Sequence, residues 1–319
     1  MKDLIIVDNL TITVLVDNVI EWSGSEKHKN VLVADQWVKE KERRSIYVRG
    51  GHGLAFLIQT NVGDQSFEIL YDTGPSGEVL LHNLKTLGLD VSSVDAIVMS
   101  HGHWDHFGGL LDVLKRIGRN DIPVYIHPKM LNARRTVAQT DEGKKINDFP
   151  QVPTAEEIVA SGGKLVISAD PLLLAGDTIL RTGEISRLTE FENGFPNHQM
   201  LVDGDWVDDS KVIDDNCLGI RTPSGIVVVT GCAHSGIINS VKEVMKLTGE
   251  DNIRAIIGGF HLMGKRNMSR VEKTVMNLKE LNPSLIVPCH CTGAPAQHLI
   301  AQEVPEAYAT GSTGNRYVF

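Results

Sequence analysis

Polar and apolar positions alternate across residues 10–17 (Leu-Thr-Ile-Thr-Val-Leu-Val-Asp) and again across 67–72 (Phe-Glu-Ile-Leu-Tyr-Asp). A period of two puts successive side chains on opposite faces of a pleated ribbon, so both stretches predict strands, as does the apolar run 53–60 between them. The period lengthens at 77–87, which predicts a helix stopped by Gly88. Residues 94–99 then form a short apolar strand that runs straight into a group of histidines. A helix is expected over 110–117 and a strand over 124–127. From about 129 to 215 the pattern breaks up: Asp-Phe-Pro, Gly-Phe-Pro-Asn and Gly-Asp-Trp signal turns, and long periodic elements are few. This stretch reads as an insertion or lid. Regular order returns with a hairpin (218–222 and 226–230), a helix over 237–247, a strand over 255–257, a helix over 270–281, a strand over 285–287 and a tail. No short repeat is visible. Mixed strands early and strand-helix alternation late predict an α/β sandwich, two mixed β-sheets inside and helices outside.

The chain has 319 residues, more than a single small core requires, and is read as one domain over 1–319 with the lid at about 129–215. Hydrophobic residues make up 42% and charged residues 22%, enough apolar side chain for a substantial core. The formal net charge is -9, and the densest basic run, 39–44 (Lys-Glu-Lys-Glu-Arg-Arg), mixes signs as a solvated face does. No track for a phosphate backbone is expected, so nucleic acid is not a partner. The apolar run near the N-terminus is short and acid-flanked, and no stretch approaches about 18 uninterrupted apolar residues, so no membrane partner and a cytoplasmic location are expected. Cys217, Cys232, Cys289 and Cys291 are few for this length and suit reduced thiols.

Candidate chemistry concentrates in Ser100-His-Gly-His-Trp-Asp-His-Phe-Gly-Gly109, which holds three of the twelve histidines within six residues. In an extended turn, side chains two apart point the same way, so His101 and His103 converge on one ion while Asp105 and His106 turn towards a second position. Imidazole and carboxylate suit zinc, iron or manganese, and one or two divalent ions are expected. His234, His261 and His290 each follow an apolar strand, where strand ends deliver side chains to one sheet edge. His234 and His290 read as further ligands, and His261 equally as a ligand, an orienting partner or a substrate contact. Asp105 and His234 are also the candidates for catalytic roles. Cys232 reads as a metal thiolate or a buried inert thiol, and Cys289 and Cys291 as packing. Asp72, at a strand end before Gly74, either accepts the free ring N–H of a ligand histidine or only shapes a turn.

These motifs, Ile69-Leu-Tyr-Asp-Thr-Gly74 followed by His101-x-His-x-Asp-His106 and Gly109, resemble the metallo-β-lactamase superfamily. Within it the chain is most similar to the dihydropterin-ribofuranosylaminobenzene 5'-phosphate synthase branch. The resemblance extends through Gly53-Leu-Ala-Phe, Thr182-Gly-Glu-Ile-Ser-Arg187, Asp215-Asn-Cys-Leu218, Thr230-Gly-Cys-Ala-His-Ser-Gly236, Gly258-Gly-Phe-His-Leu262 and Pro288-Cys-His-Cys-Thr-Gly293. It implies an αββα sandwich with metals at the sheet edge, His101 and His103 on metal 1, and Asp105, His106 and His290 on metal 2. Many members carry Gly-Asp where this chain has Gly231-Cys232, so the usual bridging aspartate is absent and His234 is expected to compensate.

The resemblance implies a metal-dependent enzyme whose partner is a phosphorylated small molecule, either a condensing transferase acting on a dihydropterin diphosphate or a hydrolase of a phosphodiester, lactone or ester. Arg187, Arg181 and the pair Arg134-Arg135, all in the lid stretch, are candidate phosphate contacts, with solvated surface side chains as the alternative reading. A nuclease of the same superfamily, which needs a basic face, and a sensor without metal are the readings from other classes.

Overall fold

The computed structural model describes residues 3–24, 28–39 and 47–319, so the basic run at 39–44 lies, apart from Lys39, outside the described residues. Strands form three sheets. The first runs β2 (Val31–Leu32), β18 (Arg316–Val318), β1 (Asn9–Val16), β3 (Ala55–Val62), β4 (Gln65–Tyr71), β5 (Ala96–Val98), β6 (Ile122–Ile126) and β9 (Gly163–Ile167). The second runs β10 (Leu172–Leu174), β11 (Ile179–Arg181), β14 (Cys217–Thr222), β15 (Gly225–Thr230), β16 (Ile253–Gly259) and β17 (Leu285–Cys289). A small third sheet runs β13 (Asp205–Asp208), β12 (His198–Val202), β7 (Arg134–Thr140) and β8 (Gly143–Asp148).

Period-two alternation explains the layers. Phe56, Ile58, Ile69, Tyr71, Ala96 and Val98 point into a core that they share with Val227, Val229, Ala255, Ile257, Leu285 and Val287 of the second sheet. The intervening Ala55, Leu57, Leu70 and Ile97 face the other way, onto helices Gly77–Leu87 and Leu110–Ile117. Ile226, Val228, Ile256 and Ile286 likewise face helices Ile237–Thr248, Met268–Leu281 and Ala294–Glu303. Three apolar cores between four layers give the helix-sheet-sheet-helix order expected from the sequence, and central strands buried on both faces read as unbroken apolar runs for the same reason.

Helix Gly77–Leu87 begins where the Ser76 hydroxyl accepts the Val79 N–H and ends at Gly88 with φ 67°, as the sequence predicts. The expected tail is different: it forms helix Ala294–Glu303 and then β18, which pairs with β1 and β2 and closes the first sheet. A three-residue strand carries no readable period, which is why the sequence pattern missed it. Within 129–215, β9 joins the first sheet and β10 and β11 the second, while β7, β8, β12 and β13 stand apart as the third.

Candidate metal centre

The candidate side chains leave the carboxyl ends of parallel strands. In the first sheet β4, β5, β6 and β9 run parallel, and in the second β15, β16 and β17 do. Asp72 follows β4, the histidine loop follows β5, Cys232 and His234 follow β15, His261 follows β16 and His290 follows β17. The chain bends sharply there: Asp72, Ala233, His261 and His290 have φ of 60°, 52°, 44° and 46°. Left-handed backbone at residues other than glycine costs on the order of 1–3 kcal/mol each and clusters where function needs a side chain re-aimed. Gly231 permits the two sheets' ends to meet, since a Cβ there would stand 2.2 Å from Ser100 Oγ.

His101, His103 and His234 form one cluster, their ring centroids 4.6, 4.6 and 4.7 Å apart. Nε2 of His101, Nε2 of His103 and both ring nitrogens of His234 are buried without a hydrogen-bond partner among the described residues. Burial holds all three rings well below the ordinary histidine pKa, and so neutral with a lone pair exposed. A buried polar nitrogen left unsatisfied costs about 1–3 kcal/mol, and several on neighbouring rings fit a cation that would satisfy them together.

Asp105, His106, Cys232 and His290 form a second cluster, their donor atoms all within 4.8 Å of one another. His290 Nε2 lies 3.1 Å from Asp105 Oδ2, and His106 Nε2 lies 3.1 Å from Cys232 Sγ. Cys232 groups equally with His101 and His234, so its sulfur stands between the clusters. Burial alone would raise the Asp105 carboxyl, but the neighbouring His106 and His290 outweigh it and hold it well below the carboxylate range. Burial would lower His106, yet Asp72 and Asp105 raise it to about 9. The metal-free fold therefore gains stability from His106 that is complete below 6.5 and lost as pH climbs through about 9. A cation on Nε2 must displace that proton. Calorimetry at pH 7 in buffers of different ionisation enthalpy should show about two protons released as the second cluster fills, one from His106 and one from the Cys232 thiol that burial pushes up, and none from His106 well above pH 9. Loading without proton release at pH 7 would contradict this assignment.

Hydrogen bonds fix which nitrogen His101, His106 and His290 present. Asp72, fully buried, accepts from His106 Nδ1 at 2.6 Å, from Ser100 N at 2.7 Å and from Ser100 Oγ at 2.6 Å. The same hydroxyl accepts from His101 Nδ1 at 2.9 Å, so one carboxylate orients two rings. His290 Nδ1 donates to Asn18 Oδ1 at 2.9 Å, which turns its Nε2 to Asp105. Residues 214–216 fasten the loops: Asp214 accepts from Gly102 N, Asp215 from Ser235 N, and Asn216 Nδ2 donates to Ser100 O.

The remaining candidates are placed differently. His261 stacks on His234 with centroids 4.2 Å apart and groups with Cys232 and Cys291, its Nδ1 unpartnered. Arg187 donates to the carbonyls of Ile185 and Lys211. Arg181 is buried against the Ser168 carbonyl, Arg134 is ion-paired to Asp209 and Asp214 at 2.9 and 2.8 Å, and Arg135 covers Trp206. Of these, Arg134 is committed to its two carboxylates, whereas Nε and Nη2 of Arg181 and Nε of Arg187 are buried without a hydrogen-bond partner among the described residues. Sequence reasoning missed His52, whose ring is 4.8 Å from His290, and His198 and Phe149, whose rings are 5.8 and 5.3 Å from His103. Each arrives from a distant loop without a local motif.

The sequence profile of the Metallo-beta-lactamase superfamily matches residues 48–290. The Methanocaldococcus jannaschii 7,8-dihydropterin-6-methyl-4-(beta-D-ribofuranosyl)-aminobenzene-5'-phosphate synthase is 33% identical over 258 residues, 81% of this chain and 86% of that protein. A solved metal-dependent hydrolase of the beta-lactamase superfamily is 25% identical and superposes with a TM-score of 0.69, over 96% of this chain and 98% of its own. A Bacillus subtilis metallo-beta-lactamase fold protein, 14% identical, superposes with a TM-score of 0.53 over 98% and 100% of the two chains and bears on the fold alone. Both clusters fall within the matched span, and the chain belongs to the metallo-β-lactamase superfamily.

Proposed function

We propose that the chain is a metal-dependent enzyme acting on a phosphorylated small molecule, with one or two divalent cations at the junction of the sheets. The observation that carries this reading is the packing of the buried rings of His101, His103 and His234 with four nitrogens unpartnered, beside a Cys232 sulfur that lies with ligand atoms of His101 and His234 within 4.8 Å. Those three residues would hold one cation, and Asp105, His106 and His290 a second, with Cys232 taking the bridging place of the aspartate common in relatives. Thiolate together with imidazole favours zinc over iron or manganese. Such a cation supplies Lewis-acid polarisation of a phosphoryl oxygen or an ionised water at neutral pH.

The chain's own groups divide the remaining work. Asp105, held strongly acidic, is a poor proton acceptor and serves to bind and orient. His234, neutral and free at both nitrogens, is a ligand rather than an acid. His52 is exposed, 3.8 Å from Asp105 Oδ2, and its pKa is lowered by partial desolvation and by His290, which suits it to take a proton from a nucleophile. The third sheet forms the lid of a single domain, bringing His198 and nearby Phe149 beside His103. Among the described residues no helix is long and apolar enough to cross a membrane, and a cytoplasmic location belongs to this proposal.

The reaction favoured is condensation of a dihydropterin with a ribofuranosylaminobenzene phosphate, supported by the 33% identity over 81% of the chain. Hydrolysis is the second reading, favoured by the metal-dependent hydrolase that superposes over 96% of it. Incubation of metal-loaded protein with a dihydropterin diphosphate separates them: the coupled product appears only with the arylamine partner, whereas hydrolysis needs none. Neither binding nor turnover of that diphosphate or of any phosphodiester would sink both. Cys232→Ser should lose the sulfur-to-metal absorption of the cobalt-loaded protein and about ten- to hundredfold of kcat/KM, the effect of roughly 1.4–2.7 kcal/mol. An unchanged cobalt spectrum would remove Cys232 from the centre.

A further inference from the structure

Beside the metal centre lies a cavity of about 740 Å³ whose lining includes Phe191, Phe195, His198, Lys265 and Arg270. Phe195 is the wall shared with the clusters, its ring centroid 5.2 Å from that of His234 and 4.2 Å from that of His261. The Arg270 guanidinium carbon stands 4.6 Å from the centre of the same ring. Arg270 is only 7% exposed. Its Nη2 donates to the His261 carbonyl at 2.6 Å, and its buried Nε has no partner. Among the described residues no carboxylate lies within ion-pairing distance of it. Glu192, the carboxylate that does act on it, is committed to the N–H groups of Ile238 and Asn239 and to the Thr189 hydroxyl. A desolvated guanidinium without a contacting counter-ion is costly, and its rigid fork of donors matches phosphoryl oxygens. Lys265, exposed on the same lining, adds a second cation.

We propose that Arg270, assisted by Lys265, binds a phosphoryl group of the substrate in this cavity, while a flat ring of the same molecule lies against Phe195. This rests on the reading of the centre as one for phosphorylated small molecules. It assigns the anion contact to a helix after β16 rather than to the arginines of the lid stretch. The charge pattern also sets specificity: a neutral dephosphorylated analogue lacks the group that satisfies Arg270.

The test titrates inorganic phosphate and inorganic diphosphate into metal-loaded and chelator-treated protein, for the wild type, Arg270→Met, Arg270→Lys and Lys265→Met. Chelator-treated wild type should bind both anions, and Arg270→Met should weaken binding by about tenfold or more in both states, the effect of losing a charge-assisted hydrogen bond. Arg270→Lys should keep part of the affinity, and Lys265→Met should lose roughly threefold. With a turned-over substrate, Arg270→Met should raise KM more than it lowers kcat. Wild-type anion affinity in Arg270→Met overturns the proposal. Should that variant fail to fold, unchanged affinity in both Arg270→Lys and Lys265→Met overturns it instead. Protein that binds no metal yet loses anion affinity in Arg270→Met refutes the metalloenzyme reading and leaves this anion site standing. Protein that holds metal but binds anions regardless of Arg270 refutes this site alone.

Discussion

His234→Ala is expected to lower bound metal by about one equivalent per chain and to cut kcat/KM by roughly a thousandfold, measured by elemental analysis and steady-state kinetics. A metal acting on transition-state charge contributes several kcal/mol, or about three decades of rate. His234 packs against His101 and His103 with both ring nitrogens unpartnered, so its loss removes one ligand from the first cluster. The same change removes a buried ring that is unsatisfied without metal, so the metal-free Tm should change little. His101→Ala should behave alike. A large drop in metal-free stability with metal content intact would recast both as core histidines.

Arg134→Met is expected to destabilise the fold by about 3–5 kcal/mol, read by denaturant unfolding of the metal-free protein. Arg134 is buried between Asp209 and Asp214, and also donates to the carbonyls of Gly102 and Met130. Its loss strands two buried carboxylates, one of which accepts the Gly102 N–H between the first two histidines of the cluster. Metal affinity should therefore fall with stability. Burial already pushes Asp209 up to about 6 despite Arg134. Without Arg134 the Asp209 carboxyl is pushed higher still, so the variant's deficit should shrink as pH falls towards 6, because a protonated carboxyl no longer needs the counter-ion. A deficit that grows on acidification would contradict this origin.

Local signals were the legible ones. The run from His101 to His106 is visible because its residues are adjacent in the chain and sit after a strand whose apolar run is unmistakable. His234, His261 and His290 were legible as strand-end residues, since parallel strands deliver their carboxyl ends to one edge. Helix Leu110–Ile117 matches its expected bounds residue for residue, helped by Gly118 in the left-handed conformation. What depended on distant packing stayed hidden. β18 has no period to read, and nothing near His52 or His198 in the chain announces that they face the clusters. The commitment of Arg134 stayed hidden because one of its partner carboxylates, Asp214, is 80 residues away in the chain (214 minus 134). Arg270 sits in a stretch read only as a helix, and its unsatisfied Nε appears once Phe195 and His261 are folded around it.

The decisive observation is anomalous diffraction at the zinc edge from crystals of the metal-loaded protein. A peak should lie about 2.0–2.1 Å from imidazole nitrogens of His101, His103 and His234. A second peak, if two ions bind, belongs between Asp105, His106 and His290 with Cys232 in reach. Absence of any peak at this rim in protein that has taken up zinc, or a peak bound only by other residues, would show that these buried imidazoles are not a metal centre.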